Sequence, residues 1–96
     1  MNGDSLTNAL FQIKAELAIA RNCLREAVVA AAHDQFAKAK QLLVNAKRSH
    51  RAVGEQISRL PPKYDARSQT ALARILEGDI DELEQQILKN ERHHEP

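Results

Sequence analysis

The chain has 96 residues, enough for one domain and too few for two cores. Three aromatics (Phe11, Phe36, Tyr64) and no tryptophan leave little surface for stacking bases or sugars. Fourteen basic and thirteen acidic residues nearly cancel, and the single cysteine, Cys23, excludes an intramolecular disulfide framework.

In chain order, Asp4 or Ser5 is placed to cap a first helix, because either side chain accepts a bond from a free first-turn amide. Leu6, Leu10, Ile13, Leu17, Ala20, Leu24, Ala27 and Ala31 then follow in unbroken 4-3 alternation. That spacing keeps one apolar seam facing a neighbour and predicts a packed amphipathic helix over about 5–32. His33, Asp34 and Gln35 interrupt it, with Asp34 the natural cap for the next helix. So short a break predicts a tight antiparallel hairpin.

A second ladder runs through Phe36, Ala39, Leu43, Ala46, His50, Val53, Ile57 and Leu60, which predicts a helix over about 35–60. Pro61 and Pro62 end it, since proline clashes with the preceding turn and offers no amide. Asp65 is the expected cap of a third helix, 65–91, carried by Ala73, Leu76, Ile80, Leu83 and Ile87. Gly78 weakens it by roughly 1 kcal/mol relative to alanine. The tail from Glu91 to Pro96, and 92–96 above all, is expected to fray. These elements make an all-α, antiparallel, up-down-up three-helix bundle over 1–96, each helix about 40 Å long.

Helix 1 is poor in charge: between Ser5 and Ala32 it has only Lys14, Glu16, Arg21, Arg25 and Glu26. Off its seam lie Phe11, Ala15, Ala18, Ile19, Cys23, Val28, Val29 and Ala30. Such a helix usually has more than one face covered, which predicts an oligomer, most simply a homodimer, or a docked partner helix. No stretch is apolar enough to span a membrane. The opening Asn2-Gly3-Asp4 lacks the regions of a secretory signal, so a reducing cytoplasmic setting is the expectation.

Charge order is uneven. Residues 36–74 carry nine Lys or Arg against Glu55 and Asp65, whereas 75–96 carry seven acids against Lys89 and Arg92. The two stretches either neutralise each other across the bundle or steer a charged partner. Lys40, Lys47 and Arg51 recur at spacings of seven and four, on one flank of helix 2, where phosphate contact with a nucleic acid is an alternative use. No aromatic is interleaved with them, and a tight hairpin is not the angled turn of a helix-turn-helix.

His50 takes a ladder position whose other occupants are all apolar. The run Lys47-Arg48-Ser49-His50-Arg51-Ala52-Val53-Gly54 resembles in part the active helix of histidine-phosphotransfer domains. In those helical bundles a helix-borne histidine is followed three residues on by lysine and then by glycine. His50 and Gly54 match; the lysine position is Val53. The resemblance implies His50 as a phosphoacceptor, with Arg51 or Lys47 as the cation offsetting the phosphoryl charge. From placement alone, a seam histidine that reaches the bundle edge or pairs with a carboxylate of helix 3 serves as well. It would fix register and make the bundle acid-sensitive.

Ala20, Ala27, Ala31, Phe36, Ala39, Leu43 and Ala46 also look like the first hairpin of the lactose/cellobiose-type phosphocarrier subunits of the sugar phosphotransferase system. Those are trimerising three-helix bundles, and the resemblance implies the fold. Their phosphorylated histidine lies on helix 3, which here has no histidine before His93.

His33-Asp34 and His93-His94-Glu95 are adjacent donors that diverge on a helix, so no metal site is expected. Glu77, Asp79, Asp81, Glu82 and Glu84 read as a solvated face. No phosphate-binding glycine loop, nucleophile elbow or Cys-His pairing occurs, so no enzyme activity, cofactor or small-molecule substrate is implied. The expectation is a non-enzymatic interaction module, an adaptor, chaperone-like or regulatory bundle. Its surface would be Phe11, Ala15, Ile19 and Val29, with Lys40, Lys47 and Arg51 as a steering rim.

Overall fold

The structure, a computed structural model, describes residues 2–94, with side chains from 5 to 93. Three helices follow one another: α1 (Asn2–Ala32), α2 (Phe36–Ser58) and α3 (Arg67–His94). They form an up-down-up bundle with Cα extents of 59 × 17 × 14 Å. The lengths are unequal. At 1.5 Å per residue α1, α2 and α3 span about 46, 35 and 42 Å, against an expected near-equality.

The seams pack as their spacing dictates. Ile13, Leu17, Ala20 and Ala27 of α1, Ala39, Leu43, Ala46 and Val53 of α2, and Leu76, Ile80 and Ile87 of α3 are buried. Leu60 is buried with them, and the other ladder apolars, from Leu6 to Leu83, lie half-buried against them. Full burial of a side chain such as Ile87 contributes about 1.5–3 kcal/mol. Ala20, Ala27, Ala39 and Ala46 are completely covered, and so small a set of side chains lets backbones approach closely. The packing is not symmetric: α1 lies chiefly on α2, α2 also carries α3, and α1 touches α3 least.

Helix ends differ from the sequence reading in four places. First, α1 already includes Asn2, so Ser5 lies within the helix and not before it; the side chain of Asp4 is outside the described ones. Second, the N-cap position of α2 falls on Gln35 and not on Asp34. It takes a left-handed conformation with φ 60°, and the Gln35 amide donates to Ala30 O at 2.9 Å while the Asp34 amide donates to Ala31 O at 3.0 Å. Those two bonds are a Schellman closure of α1, using carbonyls the helix itself leaves open. Gln35 then precedes α2 without a side-chain cap bond.

Third, α2 stops at Ser58. The Arg59 and Leu60 amides reach back only three residues, to Gln56 and Ile57, tightening the last turn before Pro61. Leu60 remains buried, so it belongs to the core without belonging to the helix. Fourth, α3 runs from Arg67 to His94, so residues 91–94 are helical where fraying was expected; Glu95 and Pro96 lie outside the described residues. The first helical bond of α3 goes from Thr70 N–H to Ala66 O at 2.9 Å. Asp65 thus stands one residue ahead of the cap position. It still acts on the helix start, accepting the Arg67 amide at 3.1 Å.

Candidate functional site

The face of α1 turned away from its neighbours is built by the same helical geometry that buries its seam. Phe11, Ile19 and Val29 are 65%, 47% and 55% exposed, and Ala15 is half-buried. Phe11, Ala15, Ala18, Asn22, Arg25 and Val29 follow one another at steps of four and three, so they share a stripe. Two residues assigned to this face from sequence belong elsewhere. Ala30 is 2% exposed within the core, and Cys23 is half-buried against it. Burial pushes the Cys23 thiol above its ordinary pKa, and the nearby Glu26 carboxylate adds to the shift; at neutral pH it is a protonated, sluggish nucleophile.

The basic flank of α2 is largely engaged within the chain. Lys40 Nζ pairs with Glu91 at 2.6 Å and Lys47 Nζ with Glu84 at 2.5 Å. Neutralisation across the bundle therefore accounts for two of the three cations of that flank, and Arg51 alone is left exposed and without an ion pair among the described residues. Both pairs are partly solvated and contribute under 1 kcal/mol each on the scale of ~0.2–1 kcal/mol for surface pairs.

His50 is half-buried, and its Nε2 lies 3.0 Å from the backbone oxygen of Ala73 on α3. Of the two placements expected of a seam histidine, the ring is half-buried at the bundle edge, and its partner is a carbonyl and not a carboxylate of α3. A carbonyl can only accept, so Nε2 carries the hydrogen and, in the neutral ring, Nδ1 carries the lone pair. A cleft of about 170 Å³ beside the ring is lined by Lys47, His50, Glu77, Ile80 and Asp81. A phosphoryl group there would meet two carboxylates, while the one cation is already held by Glu84. Gly54 is exposed and an added Cβ would meet nothing, so no close approach requires glycine after this histidine.

Three features escaped the sequence reading. Ser49 is buried at 6% exposure; it stands three residues after Ala46, a spacing that places it beside the seam on the same face. A groove of about 480 Å³ lies between α1 and α3, floored by Leu10, Ile13, Leu17 and Leu72. On its wall Gln69 donates Nε2 to the Tyr64 hydroxyl at 3.2 Å, while its buried Oε1 has no hydrogen-bond partner among the described residues. A smaller groove of about 210 Å³ opens further along the same side, lined by Val28, Ala31, Leu83 and Ile87 among others. Only the weakness of the α1–α3 contact makes these grooves, and heptad spacing carries no signal of it.

Among the described residues no three His, Cys, Asp or Glu side chains converge as a metal cluster, and no helix is long and apolar enough to cross a membrane. No family model matches the chain, and neither a curated protein nor a solved structure matches it.

Proposed function

We propose that the protein is a non-enzymatic interaction module, a small adaptor or chaperone-like bundle that binds another protein, or itself, through the charge-poor face of α1. The observation that supports this reading is the exposure of Phe11, Ile19 and Val29 on a helix whose buried seam is already complete without them. Large apolar side chains held in water on a rigid 31-residue helix are suited to fill the groove of a partner. They lose little conformational freedom on binding, because the helix is already formed. Phe11 is the natural anchor, and Arg51 the cation left to steer an acidic partner.

The test is affinity capture from lysate of the source cell, with nuclease present, using the native chain and a Phe11→Asp/Ile19→Asp variant. A stoichiometric protein held by the native chain and lost by the variant, with helicity by circular dichroism unchanged, supports the module. Equal recovery by both, or melting of the variant, overturns it.

A further inference from the structure

We infer that a second copy of this chain docks on the open α1–α3 side, by a two-fold axis parallel to the helices, covering Ala18 and Arg25 at the margin of the Phe11 stripe and leaving Phe11, Ile19 and Val29 themselves free. Each of the two helices presents there a second ladder of exposed residues in 4-3 alternation. On α1 it is Lys14, Ala18, Arg21, Arg25, Val28 and Ala32; on α3 it is Leu72, Ile75, Asp79, Glu82 and Gln86. Ile75 is 58% and Val28 52% exposed. The α1 ladder has three cations and no acid, and the α3 ladder two acids and no cation. Among the described residues, Arg21, Arg25, Asp79 and Glu82 make no ion pair.

This arrangement selects the axis. A two-fold axis along the helices lays α1 on the partner's α3, cation opposite carboxylate. An axis perpendicular to them lays α1 on α1 and α3 on α3, like charge opposite like. The levels agree as well. Leu10, Ile13 and Leu17 flank Gln69 and Leu72 at one end of the seam, and Val28 and Ala31 flank Leu83 and Ile87 at the other. Arg21 and Arg25 therefore stand within about one helical turn of the levels of Asp79 and Glu82. A parallel two-fold axis preserves level, so Arg21 meets the acid at 79 and Arg25 the acid at 82 of the second copy, with Ala18 beside the apolar pair Leu72 and Ile75.

The contact is modest. From Lys14 to Ala32 it is about 27 Å long and about 20 Å wide, a footprint of roughly 550 Å² per copy. Stable interfaces bury about 800 Å² per partner, so the dimer is reversible and dependent on concentration and salt.

Sedimentation equilibrium over a concentration series up to millimolar tests this, with circular dichroism to verify folding of each exposed-site variant. A monomer–dimer equilibrium is expected, weakened about five- to tenfold by Arg21→Glu or by Asp79→Arg, the worth of two symmetry-related exposed pairs; Arg21 lines the α1–α3 groove and lies off the Phe11 stripe. The Arg21→Glu/Asp79→Arg double variant restores it, and Phe11→Asp leaves it intact. A monomer at every concentration, a dimer indifferent to the single reversals, or failure of the double reversal to rescue would each overturn the proposal. So would a dimer abolished by Phe11→Asp alone. Loss of partner capture in the Phe11→Asp/Ile19→Asp variant is read separately and leaves this result untouched.

Discussion

His50 of α2 and Ala73 of α3 are joined by a hydrogen bond from the imidazole Nε2 to a backbone oxygen at 3.0 Å. The pair fixes both the tautomer of the ring and the height of α3 on α2. The bond uses the backbone of position 73 and so does not depend on the Ala73 side chain, which packs separately against the core.

Replacing His50 with alanine removes that bond and a half-buried ring, and is expected to destabilise the bundle by about 1–2 kcal/mol. Chemical denaturation with an unchanged m-value checks it. The ¹⁵N shifts of the native imidazole should report Nε2 as the protonated nitrogen of the neutral ring.

Asp34 holds φ 60° at the close of α1, where a β-branched residue is strained and glycine is at ease. Asp34→Gly should raise stability by about 0.5–1 kcal/mol and Asp34→Val should lower it by about 1–2 kcal/mol. Melting temperatures of opposite displacement would bear this out; displacement in the same direction would deny the Schellman closure its role.

Gly78 sits within α3 with nothing within 4 Å of an added Cβ. Gly78→Ala should therefore stabilise by about 1 kcal/mol, the helix propensity difference unopposed by any clash. A thermal melt decides it, and a lower melting temperature would mean that this surface is occupied in solution.

Arg67 grips Asp65 through its guanidinium, at 2.7 Å from Nη2 to Oδ2, and donates its amide to Oδ1. The guanidinium first and the amide second hold the Asp65 carboxyl below its ordinary pKa. A depressed carboxyl contributes stability above its unfolded value, lost as pH falls through the lower folded one. The start of α3 should thus loosen in acid below about pH 4. Amide exchange at residues 67–70 would report it, and Asp65→Asn should abolish the pH dependence there while leaving the rest of α3 alone.

The seams were legible because burial and 4-3 spacing are one physical fact seen twice: a helix that buries Ile13 must bury Leu17 and Ala20. Chain reversal at Pro61-Pro62 was legible for a similarly local reason. Asp34 was misread because aspartate serves both ends of helices, capping amides when extended and closing carbonyls when left-handed. The charge pairing of Lys40 and Lys47 could be anticipated from the uneven charge order, though their partners Glu91 and Glu84 depend on how α3 is set against α2. The exposure of Phe11, Ile19 and Val29 followed from their absence from the seam. Ala30 broke that rule because α1 leans on α2 more than on α3 and buries a wider arc on that side. The α1–α3 grooves depend on the distance between two helices that are not neighbours in sequence, which no local pattern encodes.

That same lopsided packing sets how the chain reaches its native state. Contacts fall almost wholly between consecutive helices, so most of the core forms across a three-residue turn or a short proline-bearing connection, and little waits on joining the first helix to the last. Topologies of this kind close only small loops before contacts repay them, and they fold in microseconds to milliseconds. Since the α1–α2 hairpin carries most of the interhelical packing, it is expected to act as the nucleus, with α3 docking on it afterwards. Mutations in α3 should accordingly speed unfolding while sparing the folding rate, which makes the third helix the part of the molecule that a transient opening releases first.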